Sequence, residues 1–173
     1  MIFACSPRTS AALRIYMAVA CGAGAAAWGH AASASDAGGP FGRFAGAWSG
    51  GGQVIGANGD RERIRCRANY AESGGGEAMT QTIVCASASY RINIESSLQA
   101  SGGTVQGAWA ETTRNVSGRL TGRLAEGRFQ GMVTGPNFTA KISLSSNGKR
   151  QEVKIQPSAG DIADVSINLD RRG

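Results

Sequence analysis

From Phe44 to the C-terminus apolar and polar residues alternate with period two, and glycine, asparagine or aspartate breaks the alternation about every 8–12 residues. A strand sends successive side chains to opposite faces, so this pattern specifies short strands with one apolar and one polar face. The segments that satisfy it are 46–55, 62–71, 78–86, 88–96, 103–113, 116–125, 127–135, 137–145, 149–156 and 163–170. Asn58-Gly59-Asp60 and Ser146-Asn147-Gly148 read as hairpin turns, because Asn and Gly tolerate positive φ. Gly74-Gly75-Gly76, Gly102-Gly103 and Glu126-Gly127 are further breaks. No segment keeps a 3.6-residue apolar period, and only a short turn near 158–163 is open to helix.

The parity of each strand separates its faces. Ile64, Cys66, Ala68 and Tyr70 share one side of their strand, and Arg61, Arg63, Arg65 and Arg67 the other. Phe138, Ala140, Ile142 and Leu144 align in the same way, as do Val165, Ile167 and Leu169. Glycines inside strands (Gly107, Gly118, Gly122, Gly131) are costly in a flat sheet. They fit tight bends of a closed barrel, or places where large rings pack across. Closure also removes the exposed edges that many short strands would have to protect. The expected fold is all-β, an antiparallel meander closed into a barrel of eight to ten strands, with a two-sheet β-sandwich as the alternative.

Ahead of this domain the chain has the order of a secretory signal. Arg8 and Arg14 are followed by an uncharged apolar stretch and then by Ala31-Ala32-Ser33-Ala34. The stretch is about 15 residues long, short of the roughly 20 needed to span a bilayer. Residues 1–34 are therefore expected to be cleaved, leaving no transmembrane anchor and placing the mature protein in the periplasm or outside the cell. The alternative is a lipoprotein anchored at Cys21. Residues 35–43 read as a disordered leader and 44–173 as one barrel domain.

Cleavage changes the inventory of chemistry. It removes His30, the one histidine, together with Cys5 and Cys21, and it lowers the formal charge from +6 to +4 because two arginines and no acid leave. Without histidine the mature chain has no Ser-His-Asp or Cys-His catalysis and no ordinary zinc site. There is no phosphate-binding Gly-rich loop and no calcium loop. No cofactor and no metal are expected. Cys66 and Cys85 remain, each in a strand, and in an oxidising compartment they are expected to form a disulfide. Glu62 and Glu111 have inward parity, which keeps a paired-carboxylate hydrolase formally open; both lie near strand ends, where a rim role is the simpler reading.

The Arg61, Arg63, Arg65, Arg67 ladder is the most unusual local feature. Four guanidinium groups on one strand face repel unless partners or anions lie close. Either the ladder takes an anionic envelope component or an acidic protein surface, or it is a solvated face neutralised by acids such as Glu72, Glu77 or Glu95. No aromatic residue interleaves with it, so no nucleic-acid partner is expected.

Gly46-Ala47-Trp48 opens the first strand, and this Gly-x-Trp resembles the signature of lipocalins and related calycin barrels; avidin-like barrels open in the same way. The resemblance implies an up-and-down barrel whose Trp closes the base under a basic side chain from a late strand, with a small apolar molecule bound inside. The mature chain as a whole also resembles exported bacterial proteins, which carries no function. Gly107-Ala108-Trp109 repeats the opening tripeptide, as two related halves would, or as two strands that each need a Gly beside a large ring. The expected function is a non-enzymatic exported barrel that binds a small apolar ligand or envelope component. Its candidate pocket rings are Trp48, Tyr70, Tyr90, Trp109, Phe129 and Phe138. The alternative is an envelope-structural or interaction module acting through the Arg-rich face.

Overall fold

The computed structural model describes residues 38–173. The expected signal peptide, its cleavage after Ala34 and the alternative anchor at Cys21 lie outside the described residues. Ten antiparallel strands run in sequence: β1 (Gly46–Gly56), β2 (Arg61–Ser73), β3 (Ala78–Ala86), β4 (Arg91–Ser101), β5 (Thr104–Glu111), β6 (Val116–Ala125), β7 (Arg128–Gly135), β8 (Phe138–Ser146), β9 (Arg150–Pro157) and β10 (Ile162–Arg171). Each pairs with its sequence neighbours, and β1 also pairs with β10, so the meander closes into a barrel. The closed form, not the sandwich, is the fold.

The turn chemistry works as the residues require. Gly102 and Gly103 both adopt positive φ in the β4–β5 hairpin, 55° and 77°. The Asn147 side-chain carbonyl accepts the backbone N–H groups of Lys149 (3.0 Å) and Arg150 (2.8 Å), which turns β8 into β9. Two expectations need correction. The β4 strand begins at Arg91, not near 88, because Ser87–Tyr90 forms a loop closed by the Ser87 N–H donating to the Tyr90 carbonyl (2.9 Å). No helix forms at 158–163: those residues bend straight into β10, and among the described residues the one helical turn is a 3-10 segment at Gly74–Gly76.

Register sorts the faces. Trp48, Ala68, Tyr70, Cys66, Leu98, Val105, Leu120, Leu124, Phe129 and Ile167 point inward and are buried. The outward positions are mostly Arg, Lys, Thr, Ser, Gln and Asn. A barrel that spans a membrane has the opposite polarity. Among the described residues no helix is long and apolar enough to cross a membrane. Cys66 and Cys85 sit directly opposite one another on β2 and β3, facing inward, and are joined by a disulfide. Such a bond points to an oxidising, extracytoplasmic compartment.

One end is sealed. Phe41 and Phe44, just ahead of β1, are 3% and 1% exposed and plug the base. The Phe41 N–H donates to the Gly76 carbonyl (3.1 Å), and the Ser146 hydroxyl donates to the Arg43 carbonyl (2.7 Å). Residues 38–43, read from sequence as leader, are therefore part of the folded unit, because two phenylalanines in four residues gain by covering the barrel floor. Trp48 is fully buried and its indole N–H donates to the Phe44 carbonyl at 2.7 Å. The Arg171 guanidinium from β10 lies over its ring, 4.6 Å from the centroid. This is the late-strand basic cover that the Gly-x-Trp resemblance implied.

Candidate functional site

The open end is built differently. The Tyr90 and Trp109 rings and the aliphatic side chains of Ile83, Val133 and Ile142 pack on the buried core yet stay only partly buried, and the Phe138 ring beside Trp109 is partly buried too. All but Tyr90, which sits in the β3–β4 loop, point inward by register. Trp109 and Phe138 meet edge to face with centroids 6.3 Å apart. The indole N–H of Trp109 donates to the Thr134 carbonyl at 3.2 Å, so the ring lies flat across β6 and β7. Glycine makes that possible: a Cβ on Gly118 would come within 2.9 Å of the indole nitrogen, and one on Gly135 within 3.2 Å of the ring. Deeper in the barrel, the Phe129 ring occupies the space of absent side chains at Gly122 and Gly131 in the same way. The strand glycines are thus seats for rings, as well as points of close backbone approach.

The six candidate rings divide. Trp48, Tyr70 and Phe129 are at most 7% exposed and belong to the packed lower core. Burial pushes the Tyr70 hydroxyl well above the usual phenol range. Tyr90, Trp109 and Phe138 stand at the open end. Sequence parity named these rings but could not rank them by depth, because depth depends on which end the plug closes. It also passed over Ile83, Val133 and Ile142, whose signal was present as inward parity without an aromatic to mark it.

The two rim carboxylates are tied up by loops. Glu62 accepts the Ser89 N–H (3.0 Å) and hydroxyl (2.7 Å), and these bonds hold its pKa below the ordinary value. Glu111 is 7% exposed. Burial pushes its pKa up, but the Thr113 hydroxyl and the backbone N–H groups of Asn93, Thr113 and Arg114 outweigh that and bring it to about 2. A carboxylate held ionised in this way is a poor proton donor at neutral pH. Both groups act as clamps: Glu62 fixes the β3–β4 loop, and Glu111 fixes the turn into β6. Among the described residues no group of three or more metal-ligating side chains comes together.

The Arg ladder splits on the outer wall. Arg61 donates to the Gln53 side chain at 3.3 Å. Its cross-strand neighbours, and those of Arg63, Arg65 and Arg67, are Ile55, Gln53, Gly51, Ser49, Ala86 and Val84, all uncharged. The acids expected to neutralise it lie elsewhere. Glu72 is at the far end of β2, Glu77 is in the following turn, and Glu95 pairs with Thr82 one strand further on.

No protein-family model matches this chain, and no curated protein matches it by sequence. Solved structures do. The chain is similar to the crystal structure of Rv2717c from M. tuberculosis, at 14% identity and a TM-score of 0.62, over 77% of this chain and 95% of that one. It is also similar to the S-type phycobiliprotein lyase CPES from Guillardia theta, at 10% identity and a TM-score of 0.54, over 77% and 90%. At these identities the likeness shows a shared closed-barrel fold and no more.

Proposed function

We propose that this protein is an exported, non-enzymatic binding barrel that holds a small apolar molecule at its open end. The observation that carries this reading is the contrast in burial along one inner wall. At the base, Trp48, Leu124 and Phe129 are buried behind the Phe41–Phe44 plug; towards the other end Trp109, Phe138, Val133 and Ile142 are partly accessible beside the buried Ile64 and Ala140. An apolar surface held open by a rigid wall gains free energy when a ligand displaces water from it. The clamps at Glu62 and Glu111 fix the β3–β4 loop and the turn into β6. Export agrees with the signal-like N-terminus and with the Cys66–Cys85 bond.

Native mass spectrometry of the protein taken from a periplasmic extract tests this reading. The expected result is a chain beginning at Ser35, two mass units lighter than its reduced form, with a small molecule that leaves on collisional activation. A chain recovered only from the cytoplasm, or one that flies bare from every extract, would contradict it.

A further inference from the structure

The outer wall carries a feature that the binding-barrel reading leaves unused. Arg65 and Arg91 stand on one cross-strand row with Ala86 between them. Arg67 is the next outward residue of β2, about 7 Å along the strand. The chain end joins them, because barrel closure brings β10 beside β1 and the Arg172 N–H donates to the Ala47 carbonyl at 2.8 Å. These four arginines line a single concavity of about 560 Å³ that crosses the sheet obliquely from the start of β4 to the end of β10. Its floor is small and neutral, with Ser49, Val84 and Ala86, and no acid lines it.

None of the four guanidinium groups takes part in an ion pair or side-chain hydrogen bond among the described residues. The ion pairs there are Arg114–Glu111, Arg150–Asp170 and Lys154–Glu152. A second, smaller concavity of about 170 Å³ on β7–β9 sets Glu152 beside Arg128 and Lys154 and contains the last of these pairs; the arginine groove has no acid in its lining. Four like charges held around one depression raise the local potential and attract an anion. Guanidinium forks suit oxyanions, which they hold in pairs of hydrogen bonds.

Shape and composition narrow the anion. The groove has no ring on which a base could stack, which disfavours single-stranded nucleic acid. It has no aromatic anchor of the kind that carries protein interfaces. It is concave and lacks protruding apolar side chains, so it offers a flat lipid surface little to insert. An extended chain with anionic groups at intervals, and hydroxyls to set on a small polar floor, fits all three observations. We propose that this groove binds a linear acidic polysaccharide, with Arg65, Arg67, Arg91 and Arg172 holding successive carboxylates. This site is separate from the apolar one, and neither needs the other.

The test is calorimetric titration of the purified protein with size-defined oligogalacturonate over a series of salt concentrations. Saturable binding that weakens as salt rises is expected. The R65A/R67A variant should lose about a hundredfold in affinity, and R65K/R67K less, since it keeps the charge but not the fork. R119A/R123A removes the same charge from the outer face of β6 and should stay within twofold of the parent. If R65A/R67A does not fold, R91A/R172A probes the same groove from its two ends, with a comparable loss expected. The proposal is overturned by an absence of saturable binding at low salt, or by an equal loss in R119A/R123A. Binding that needs Arg65 and Arg67 but is to phosphatidylglycerol vesicles or an acidic peptide, and not to the oligouronate, also overturns it.

Discussion

The two ends of this barrel are made from the same alternation and do opposite things. At the base, Phe41 and Phe44 cover the floor, Trp48 is fully buried beneath Arg171, and Leu98, Val105 and Leu124 fill the space between. At the other end, the mouth, the inward side chains of Trp109, Phe138, Val133 and Ile142 are only partly buried, and the β3–β4 loop and the turn into β6 are fixed by hydrogen bonds to Glu62 and Glu111. The lesson is that strand alternation decides which side chains face inward, whereas the connecting segments decide whether that interior is core or site.

The strongest way to break this comparison is to truncate one tryptophan at each end. Trp48→Ala should lower stability by about 3–5 kcal/mol in urea unfolding, while Trp109→Ala should cost about 1–2 kcal/mol and mainly weaken ligand uptake. Equal losses would erase the distinction between base and mouth. Next in size is the Cys66–Cys85 bond, which ties β2 to β3 between the two ends. Its reduction should cost about 3 kcal/mol, seen as a lower urea midpoint, and leave the base-to-mouth order of the tryptophan variants unchanged.

The rim clamp gives a prediction with a pH signature. The Glu111 pKa lies at about 2 in the folded chain against an ordinary 4.5, so its stabilisation is complete above pH 4.5 and is lost as pH falls towards 2. Glu111→Gln should cost about 1–3 kcal/mol at neutral pH, and unfolding of this variant should depend less on pH between 4.5 and 2 than unfolding of the parent. An unchanged acid profile would remove Glu111 from its clamping role. The smallest expected effect is at the base cover: Arg171→Ala should lower stability by about 0.5–2 kcal/mol, with a change in Trp48 emission as the guanidinium leaves the ring.

Much of the fold was legible before the structure. Parity in 62–71 and 137–145 named the inward residues, and the glycine and asparagine breaks placed nine of the ten strands to within about three residues. The β4 strand was displaced at both ends: it runs to Ser101, five residues beyond the expected 96, and it starts at Arg91 because Ser87–Tyr90 has strand-like composition and is turned by hydrogen bonds to Glu62, a residue distant in sequence. The plug was missed because Phe41 and Phe44 stand among glycines and show no period. For the sites, the ladder was visible as Arg61, Arg63, Arg65 and Arg67, but the groove was not. Arg91 reaches it through cross-strand register and Arg172 through closure, and no local pattern encodes either.

The central claim is that the apolar mouth is an accessible binding surface, and titration with the neutral fluorescent probe N-phenyl-1-naphthylamine tests it most directly. The account predicts one saturable site per chain, lost when Val133→Arg places a charge on the inner wall of the mouth and unchanged by R65A/R67A on the outer wall. Probe that fails to bind, or that binds equally well to the Val133→Arg variant, would contradict it.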